Sequence, residues 1–182
     1  MKVISYSLTG NNEALAASIA AEFAAEHIKI TESKPRTMGT IIFDMLFNRT
    51  PKVNPIIDKA EDNDLVLLVG PVWMGQVATP FRAYFKPSKG GLGQYAFISI
   101  SGGADGANTK LVGELSKRVG REPSALIDLH IADLLPSEPK PGRKDTSTYR
   151  LNDKEITSLA STVVKTLRET LPKSKSCACP TR

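Results

Sequence analysis

A chain of 182 residues, of which 41% are hydrophobic and 24% charged, has the size and composition of one globular domain with a single core. Its formal net charge of +5 is not concentrated in a dense basic helix or a nucleic-acid-binding motif, so we expect no nucleic-acid partner. No apolar run approaches the roughly 18 residues needed to cross a bilayer, and the start is too short for a signal peptide. We therefore expect no membrane span and a cytoplasmic protein.

Short apolar runs bounded by turn residues predict five strands. They cover residues 2–6, 27–31, 64–70, 95–100 and 124–131. Three of the runs are almost continuously apolar, which is typical of strands that are buried on both faces of a parallel sheet.

Apolar residues at helical spacing fill the gaps between these strands. The clearest stripes are Leu15–Ile19–Phe23, Leu111–Leu115–Val119 and Ile156–Leu159–Val163–Leu167. Thr79-Pro80 predicts a further helix start, and Asn152 with Glu155 predicts a capping box at the start of the last helix. The proline-containing connection over residues 32–63 is irregular, with a short second helix around Ile41–Leu46.

The alternation of strands and helices predicts an α/β domain with a doubly wound parallel sheet. We place this single domain at residues 1–171. Residues 172–182 are predicted to be a disordered basic tail, which contains both cysteines, Cys177 and Cys179. Nothing in the sequence indicates a disulfide framework.

The loop after the first strand is the strongest functional signal. It consists of Ser7-Leu8-Thr9-Gly10-Asn11-Asn12 and leads directly into the first helix. A helix start offers unpaired backbone amides and the positive end of the helix dipole, which together bind a phosphate. Gly10 lets the backbone come close to a ligand, and the hydroxyl and amide side chains add donors without bulk. The loop is therefore predicted to bind a phosphate group.

Other phosphate loops do not match this segment. The G-x-x-x-x-G-K-[ST] pattern of P-loop nucleotidases is missing, and no G-x-G-x-x-G fingerprint follows the first strand. A plain structural role for Thr9 or Asn12 as a helix cap is the alternative.

The run from Ser7 to Ala16, SLTGNNEALA, resembles the phosphate loop of flavodoxins, whose pattern is approximately [ST]-x-T-G-[NK]-T followed by a helix. Asn12 stands where threonine is usual. The resemblance extends from Met1 to about Leu171. It implies a flavodoxin-like fold with a five-stranded sheet in the order 2-1-3-4-5, helices on both faces, and flavin mononucleotide (FMN) as the cofactor.

Two further loops follow the third and fourth strands, where the resemblance implies that the flavin ring is bound. The second loop contributes Pro71, Val72, Trp73, Met74 and Gly75. The third loop contributes Ser101, Gly102 and Gly103, and continues to Gly106. An ordinary glycine turn is the alternative for the third loop.

Trp73, the only tryptophan, lies in the second loop. Pro71, Trp73 and Pro80 resemble the P-x-W…P segment of flavodoxin-like quinone reductases. This resemblance implies that the indole stacks on the flavin or borders its edge. The alternative is that Trp73 packs against the third helix near Phe81.

The resemblance implies an FMN-binding oxidoreductase that takes electrons from the reduced nicotinamide of NAD(P)H and passes them to a quinone or similar acceptor. Two features favour this enzyme over a flavodoxin that serves redox partner proteins. The third loop lacks the aromatic residue that usually covers the flavin, and the chain is basic where such flavodoxins tend to be acidic. A domain that has lost its flavin and binds a partner is a third hypothesis, and a homodimer is left open.

We predict no catalytic acid or base, because the flavin performs the redox chemistry. We also predict no metal site, since His27 and His130 lie on separate strands without further ligands at metal-binding spacing. Arg36 and Arg49 lie in the long connection, where we interpret them as solvated charges.

Overall fold

The computed structural model describes residues 1–55, 65–85, 92–104 and 106–171. The strands are β1 (Lys2–Ser5), β2 (Glu26–Lys29), β3 (Val66–Val69), β4 (Val72–Trp73), β5 (Gln76–Val77), β6 (Tyr95–Ser101) and β7 (Ala125–His130). The helices are α1 (Asn11–Glu22), α2 (Met38–Leu46), α3 (Arg82–Phe85), α4 (Leu111–Val119), α5 (Arg143–Thr148) and α6 (Asp153–Thr170).

Five strands form one parallel sheet in the order β2-β1-β3-β6-β7. Since β6 and β7 are the fourth and fifth strands of this sheet along the chain, the predicted order 2-1-3-4-5 is confirmed. The predicted strand positions are correct to within two residues at each described end.

The sheet has a hydrophobic core on each face, because successive strand residues point to opposite sides. Val3, Leu67 and Ile98 pack with α1 and α6 on one side. Ile4 and Phe97 pack with α3 and α4 on the other. The prediction of helices on both faces of the sheet is therefore confirmed.

Local sequence signals place several helix ends. Asn152 Oδ1 accepts a hydrogen bond from Glu155 N at 3.0 Å, and Asn152 N donates to Glu155 Oε2 at 2.9 Å, so the predicted capping box is present. Gly120 ends α4 in the left-handed conformation with φ 86°. The short second helix is also present, as α2.

Three elements of the described residues were not predicted: the β4–β5 hairpin, the 3-10 turn over Ile131–Leu134 and the six-residue helix α5. The helix predicted to begin at Thr79-Pro80 starts as a 3-10 turn over Thr79–Phe81 and continues as α3. The first residue of the predicted strand 64–70 and the predicted tail 172–182 lie outside the described residues.

Each helix in the described ranges is too short or too polar to cross a membrane.

Candidate functional site

The three loops predicted to form the site leave the same edge of the sheet from three adjacent strands. Tyr6 N donates to Val69 O at 3.1 Å, and Gly70 N donates to Ile98 O at 3.0 Å, so the ends of β1, β3 and β6 are in register. The first loop (residues 7–12), the second loop (70–77) and the third loop (101–106) are therefore neighbours at the carboxyl edge, where ligands bind in open α/β sheets.

The first loop turns sharply into α1 at Gly10, which has φ 95°. Ser7 Oγ accepts a hydrogen bond from Gly10 N at 2.9 Å. The first backbone hydrogen bond of the helix runs from Ala14 N to Gly10 O at 2.9 Å. The amides of Asn11, Asn12 and Glu13 thus lie in the first turn, where a helix has no backbone acceptors of its own.

The side chains of Asn11 and Asn12 are buried and bind the protein itself. Asn12 Nδ2 donates to Ile100 O at 2.9 Å, and Asn12 Oδ1 accepts from Ile100 N at 3.0 Å. Asn11 Nδ2 donates to Tyr149 O at 3.0 Å, and Asn11 Oδ1 accepts from Leu151 N at 3.1 Å. These side chains therefore hold the first loop in place. A phosphate here would be bound by the backbone amides of Asn11 and Asn12.

The second loop is a tight hairpin in which β4 pairs with β5. Its two central residues, Met74 and Gly75, have φ values of 51° and 75°. Positive φ at both positions is what a type I′ turn requires, and it is unfavourable for methionine. The Met74 side chain is 79% exposed at the tip of the hairpin.

Trp73 packs at the edge of the core next to the first loop. Its ring centroid lies 5.9 Å from that of Tyr6, with an interplanar angle of 87°. The Arg36 guanidinium carbon lies 5.7 Å from the indole centroid. Trp73 therefore contacts Tyr6 and Arg36. Neither contact was expected from the two interpretations of Trp73, which were stacking on the flavin and packing near Phe81.

Arg36 is buried, contrary to its interpretation as a solvated charge. Its side chain is only 4% exposed and forms ion pairs with Glu32 at 2.5 Å and Asp44 at 2.9 Å. Burial alone would lower the pKa of Arg36, but the hydrogen bonds to Glu32 and Asp44 raise it above its usual value. Arg36 therefore stays charged and fixes the long connection against the second loop.

The third loop lies so close to its neighbours that two of its residues must be glycine. A Cβ added to Gly103, which has φ 74°, would meet His130 Cβ at 2.3 Å. A Cβ on Gly102 would lie 2.9 Å from Thr146 Oγ1. Both contacts are shorter than ordinary van der Waals contact, so these glycines allow the loop to pack on β7 and α5.

Asp128, on β7, binds residues on both sides of the third loop. It accepts hydrogen bonds from Ser99 Oγ at 2.5 Å and from Asn108 N and Nδ2 at 3.2 and 2.9 Å. His130 Nε2 lies 3.1 Å from the same carboxylate. Burial would raise the pKa of Asp128, but the hydrogen bonds from Ser99 and Asn108 and the nearby His130 lower it below its usual value.

A cavity of about 500 Å³ lies between the second and third loops. We call it the glycine cavity; its walls include Val72, Met74, Gly75, Ser101, Gly102, Gly103, Gly106, Asn108, Arg143 and Thr146. Six of the predicted ring-binding residues thus surround one cavity. Pro71, Trp73 and the first loop are not part of its walls.

The helix α5 closes the space between the first and third loops. Thr146 packs over Gly102, and Tyr149, just after the helix, accepts the hydrogen bond from Asn11. Sequence reasoning missed Asn108, Arg143 and Thr146. The available signal was Gly142 followed by Asp145, whose carboxylate accepts a hydrogen bond from Gly142 N at 2.9 Å at the start of α5.

No protein-family model and no curated protein sequence matches the chain. Solved structures do match its fold. A flavoprotein in complex with FMN from Lactobacillus acidophilus aligns with a TM-score of 0.56 and 22% identity over 70% of this chain and 91% of its own. A protein from Bacteroides uniformis assigned to the flavoproteins aligns with a TM-score of 0.58 and 13% identity, over 77% and 97% of the two chains.

A second such protein, from Bacteroides eggerthii, aligns with a TM-score of 0.56 and 14% identity over 89% of this chain and 97% of its own. At these identities the likeness concerns the fold. The strand order, the helices on both faces and these neighbours together show that the chain has the flavodoxin-like fold.

Proposed function

We propose that the protein binds FMN at the carboxyl edge of its sheet and works as a flavin-dependent oxidoreductase. The observation that carries the proposal is the meeting of three loops at the carboxyl edge of a flavodoxin-like sheet. The first begins a helix, and the other two border a cavity whose volume of about 500 Å³ is within the range of small-molecule sites. The FMN complex of the Lactobacillus acidophilus flavoprotein agrees with this assignment.

In this proposal the first loop binds the FMN phosphate. Gly10 leaves the approach open, since an added Cβ would meet no atom within 4 Å. The amides of Asn11 and Asn12 supply backbone donors, and the half-buried Thr9 supplies its hydroxyl. Ser7 contributes by holding Gly10 N, so the loop presents its donors in a fixed arrangement.

The second and third loops border the flavin ring. Val72, Met74 and Gly75 form one side of the glycine cavity, and Ser101, Gly102 and Gly103 form the other. Pro71 lies just before the hairpin. Its carbonyl oxygen accepts a hydrogen bond at 3.1 Å from the N–H of Ala78, just after the hairpin. Trp73 borders the site from its position against Tyr6.

When bound, FMN supplies the chemistry of accepting a hydride and releasing electrons. The protein contributes backbone amides near the ring, and Arg143 and Thr146 of α5 line the cavity. The part of the third loop that the structure describes carries no aromatic side chain over the cavity, which leaves room for a reduced nicotinamide and then a quinone-like acceptor. A cytoplasmic location and a homodimer stay predictions.

The first experiment is a titration of the purified full-length chain with FMN, followed by flavin fluorescence and visible absorption. Thr9→Ala should weaken FMN affinity about fivefold, because one hydrogen bond of about 1 kcal/mol is lost. The control Thr162→Ala removes a hydroxyl from the exposed surface of α6 and should leave affinity unchanged. Failure of the wild-type chain to take up FMN would overturn the proposal and support a domain that only binds a partner.

The second experiment mixes the FMN-loaded protein with NADPH in the absence of oxygen. Loss of the oxidised flavin absorption, and its return on addition of a quinone, is the result expected of the reductase. A flavin that binds tightly but is reduced only by a protein partner would assign the alternative function of an electron carrier.

A further inference from the structure

A second cavity lies on the opposite side of the Met74–Gly75 turn from the glycine cavity. Its volume is about 870 Å³, and Met74 and Gly75 line both cavities. Among the described residues, four cations, Arg82, Lys110, Lys117 and Arg118, line the second cavity together with a single carboxylate, that of Glu114. We call it the basic cavity.

The helix α4 supplies three of the four cations from one face. Lys110 lies at its N-cap. Glu114 follows after about one turn, and the adjacent Lys117 and Arg118 follow after about one turn more. The adjacent stripe of Leu111 and Leu115 is fully buried. The hydrophobic packing of this stripe therefore fixes the direction in which the charged face of α4 points.

The carboxylate of Glu114 does not neutralise this face. It forms an ion pair with Arg118 Nε and lies 3.5 Å from Val77 N. Arg118 also donates to Asn48 Oδ1 and Gln76 Oε1, each at 3.2 Å. Within the described ranges, the side chains of Lys110 and Lys117 are exposed and have no hydrogen-bond or ion-pair partner.

Arg82 forms the inner wall, and it is only 4% exposed. Its guanidinium donates to Asp44 O and Arg49 O, each at 3.0 Å, and to Gln76 Oε1 at 3.2 Å. All three acceptors are uncharged. Burial, and then the charge of Arg118, lower the pKa of Arg82 below its usual value. The cavity thus contains a buried cation that has no carboxylate partner in the described part of the chain and lies next to a second cation.

We propose that the basic cavity binds the diphosphate group of a small nucleotide. Two mobile ammonium groups and two fixed guanidinium groups match the several oxygens of a diphosphate. Phe85 and the thioether of Met74 offer apolar surface to the rest of the ligand. A volume of about 870 Å³ lies within the range of small-molecule sites.

The proposal does not depend on flavin binding. A diphosphate can come from a free nucleotide such as ADP or from a reduced nicotinamide dinucleotide. In the second case the shared Met74–Gly75 wall would bring the donor next to the proposed flavin. The shared chemistry is the diphosphate, and the experiment separates the two sources.

The experiment is calorimetric titration of the full-length chain with ADP, inorganic pyrophosphate, adenosine and NADPH at constant ionic strength. ADP and pyrophosphate should bind, and adenosine should bind at least tenfold more weakly than ADP. In the double variant Lys110→Ala, Lys117→Ala, the affinity for ADP should fall about tenfold for each lysine, because each removes one charge-assisted contact.

The matched control is the double variant Lys154→Ala, Lys165→Ala, which removes the same charge from exposed positions of α6. It should bind ADP like the wild type. Equal losses in both double variants would show a nonspecific charge effect and overturn the proposal, as would the absence of ADP and pyrophosphate binding in the wild type.

Titration of the same variants with FMN keeps this proposal apart from the proposed function. Both double variants should bind FMN with wild-type affinity. If FMN binding fails while ADP binds, the function is wrong and the basic cavity stands. Binding of NADPH at least tenfold tighter than ADP assigns the dinucleotide as the source of the diphosphate, whereas equal or weaker binding assigns a free nucleotide.

Discussion

The two cavities on either side of the Met74–Gly75 turn are built in different ways. Among the described residues, four glycines line the glycine cavity: Gly75, Gly102, Gly103 and Gly106. The walls of the basic cavity include charged side chains from α3, from α4 and from Lys110 just before α4. A cavity lined by glycines depends on the absence of side-chain atoms. A cavity lined by charged side chains depends on where the helices place those side chains.

The two cavities should therefore respond differently to substitutions that add or remove side-chain atoms. Adding one carbon should damage the glycine cavity, while removing exposed lysine atoms from the basic cavity should change binding but not folding. The following predictions test that contrast, from the largest expected effect on stability to the smallest.

The largest effect is expected for Gly103→Ala. The new Cβ would meet His130 Cβ at 2.3 Å, and alanine would be strained at φ 74°. Overpacking and backbone strain together should reduce the free energy of unfolding by about 3 kcal/mol, measured by urea denaturation.

Gly106→Ala is the matched control for Gly103→Ala, because Gly106 has φ 92° but no atom within 4 Å of an added Cβ. It should cost only about 1 kcal/mol, for backbone strain alone. Equal losses at the two positions would show that the close contact with His130 is unimportant.

Arg82→Met tests the one buried cation of the basic cavity. Its hydrogen bonds to Asp44 O, Arg49 O and Gln76 Oε1 would be lost, although Asp44 O keeps the bond from Arg49 N and Gln76 Oε1 keeps the one from Arg118. We expect a loss of about 2 kcal/mol in urea denaturation. Arg121→Met makes the same change at an exposed side chain and should alter stability by less than about 0.5 kcal/mol. A stable Arg82 variant would contradict a structural role for this guanidinium.

Asp128→Asn tests the support beneath the third loop and its dependence on pH. At pH 7 it should cost about 1.5 kcal/mol, since charge-assisted hydrogen bonds from Ser99 and Asn108 become neutral ones. The pKa of Asp128 is lowered by folding, so its stabilisation is complete above the usual value of 3.8 and is lost as the pH falls through the lowered pKa.

The difference in stability between wild type and Asp128→Asn should therefore shrink on acidification below pH 3.8, in urea denaturation followed across that range. The control Asp133→Asn removes a carboxylate that is 78% exposed and should alter stability at pH 7 by less than about 0.5 kcal/mol. A difference that is constant with pH would exclude Asp128 as the group that titrates.

The smallest effect is expected for Met74→Gly, at the turn that both cavities share. Glycine relieves the strain of φ 51°, so the thermal midpoint should rise, by the equivalent of about 0.5 kcal/mol. Ala24→Gly relieves a similar φ of 47° far from both cavities. Only the Met74 variant should change the affinities for both FMN and ADP, and unchanged affinities would show that the thioether contacts neither ligand.

Much of the architecture was predictable from sequence because it depends on near neighbours along the chain. Short apolar runs bounded by turn residues located the strands, and the Asn152–Glu155 box located the start of the last helix. The resemblance at residues 7–16 led to the strand order, which the structure confirms. The six-residue helix α5 was missed because its composition, RKDTST, has no apolar stripe.

The candidate site was predictable in part. The sequence located the three loops, because glycines and strand ends are local signals. It did not predict that Asn11 and Asn12 bind backbone groups, since Tyr149 lies 138 residues from Asn11 and Ile100 lies 88 residues from Asn12. Nor did it predict the contact of Trp73 with Arg36, because that contact requires the long connection to fold back on the hairpin.

By itself, then, the sequence determined which segments form strands, where the chain turns, and that a helix begins directly after the first loop. Only the tertiary structure decided that Arg36 is buried with Glu32 and Asp44, and that Arg82 meets the charged face of α4. The physical reason is that periodicity and capping act within a few residues. The environment of a charge is set by whatever the packed core brings next to it, over any distance along the chain.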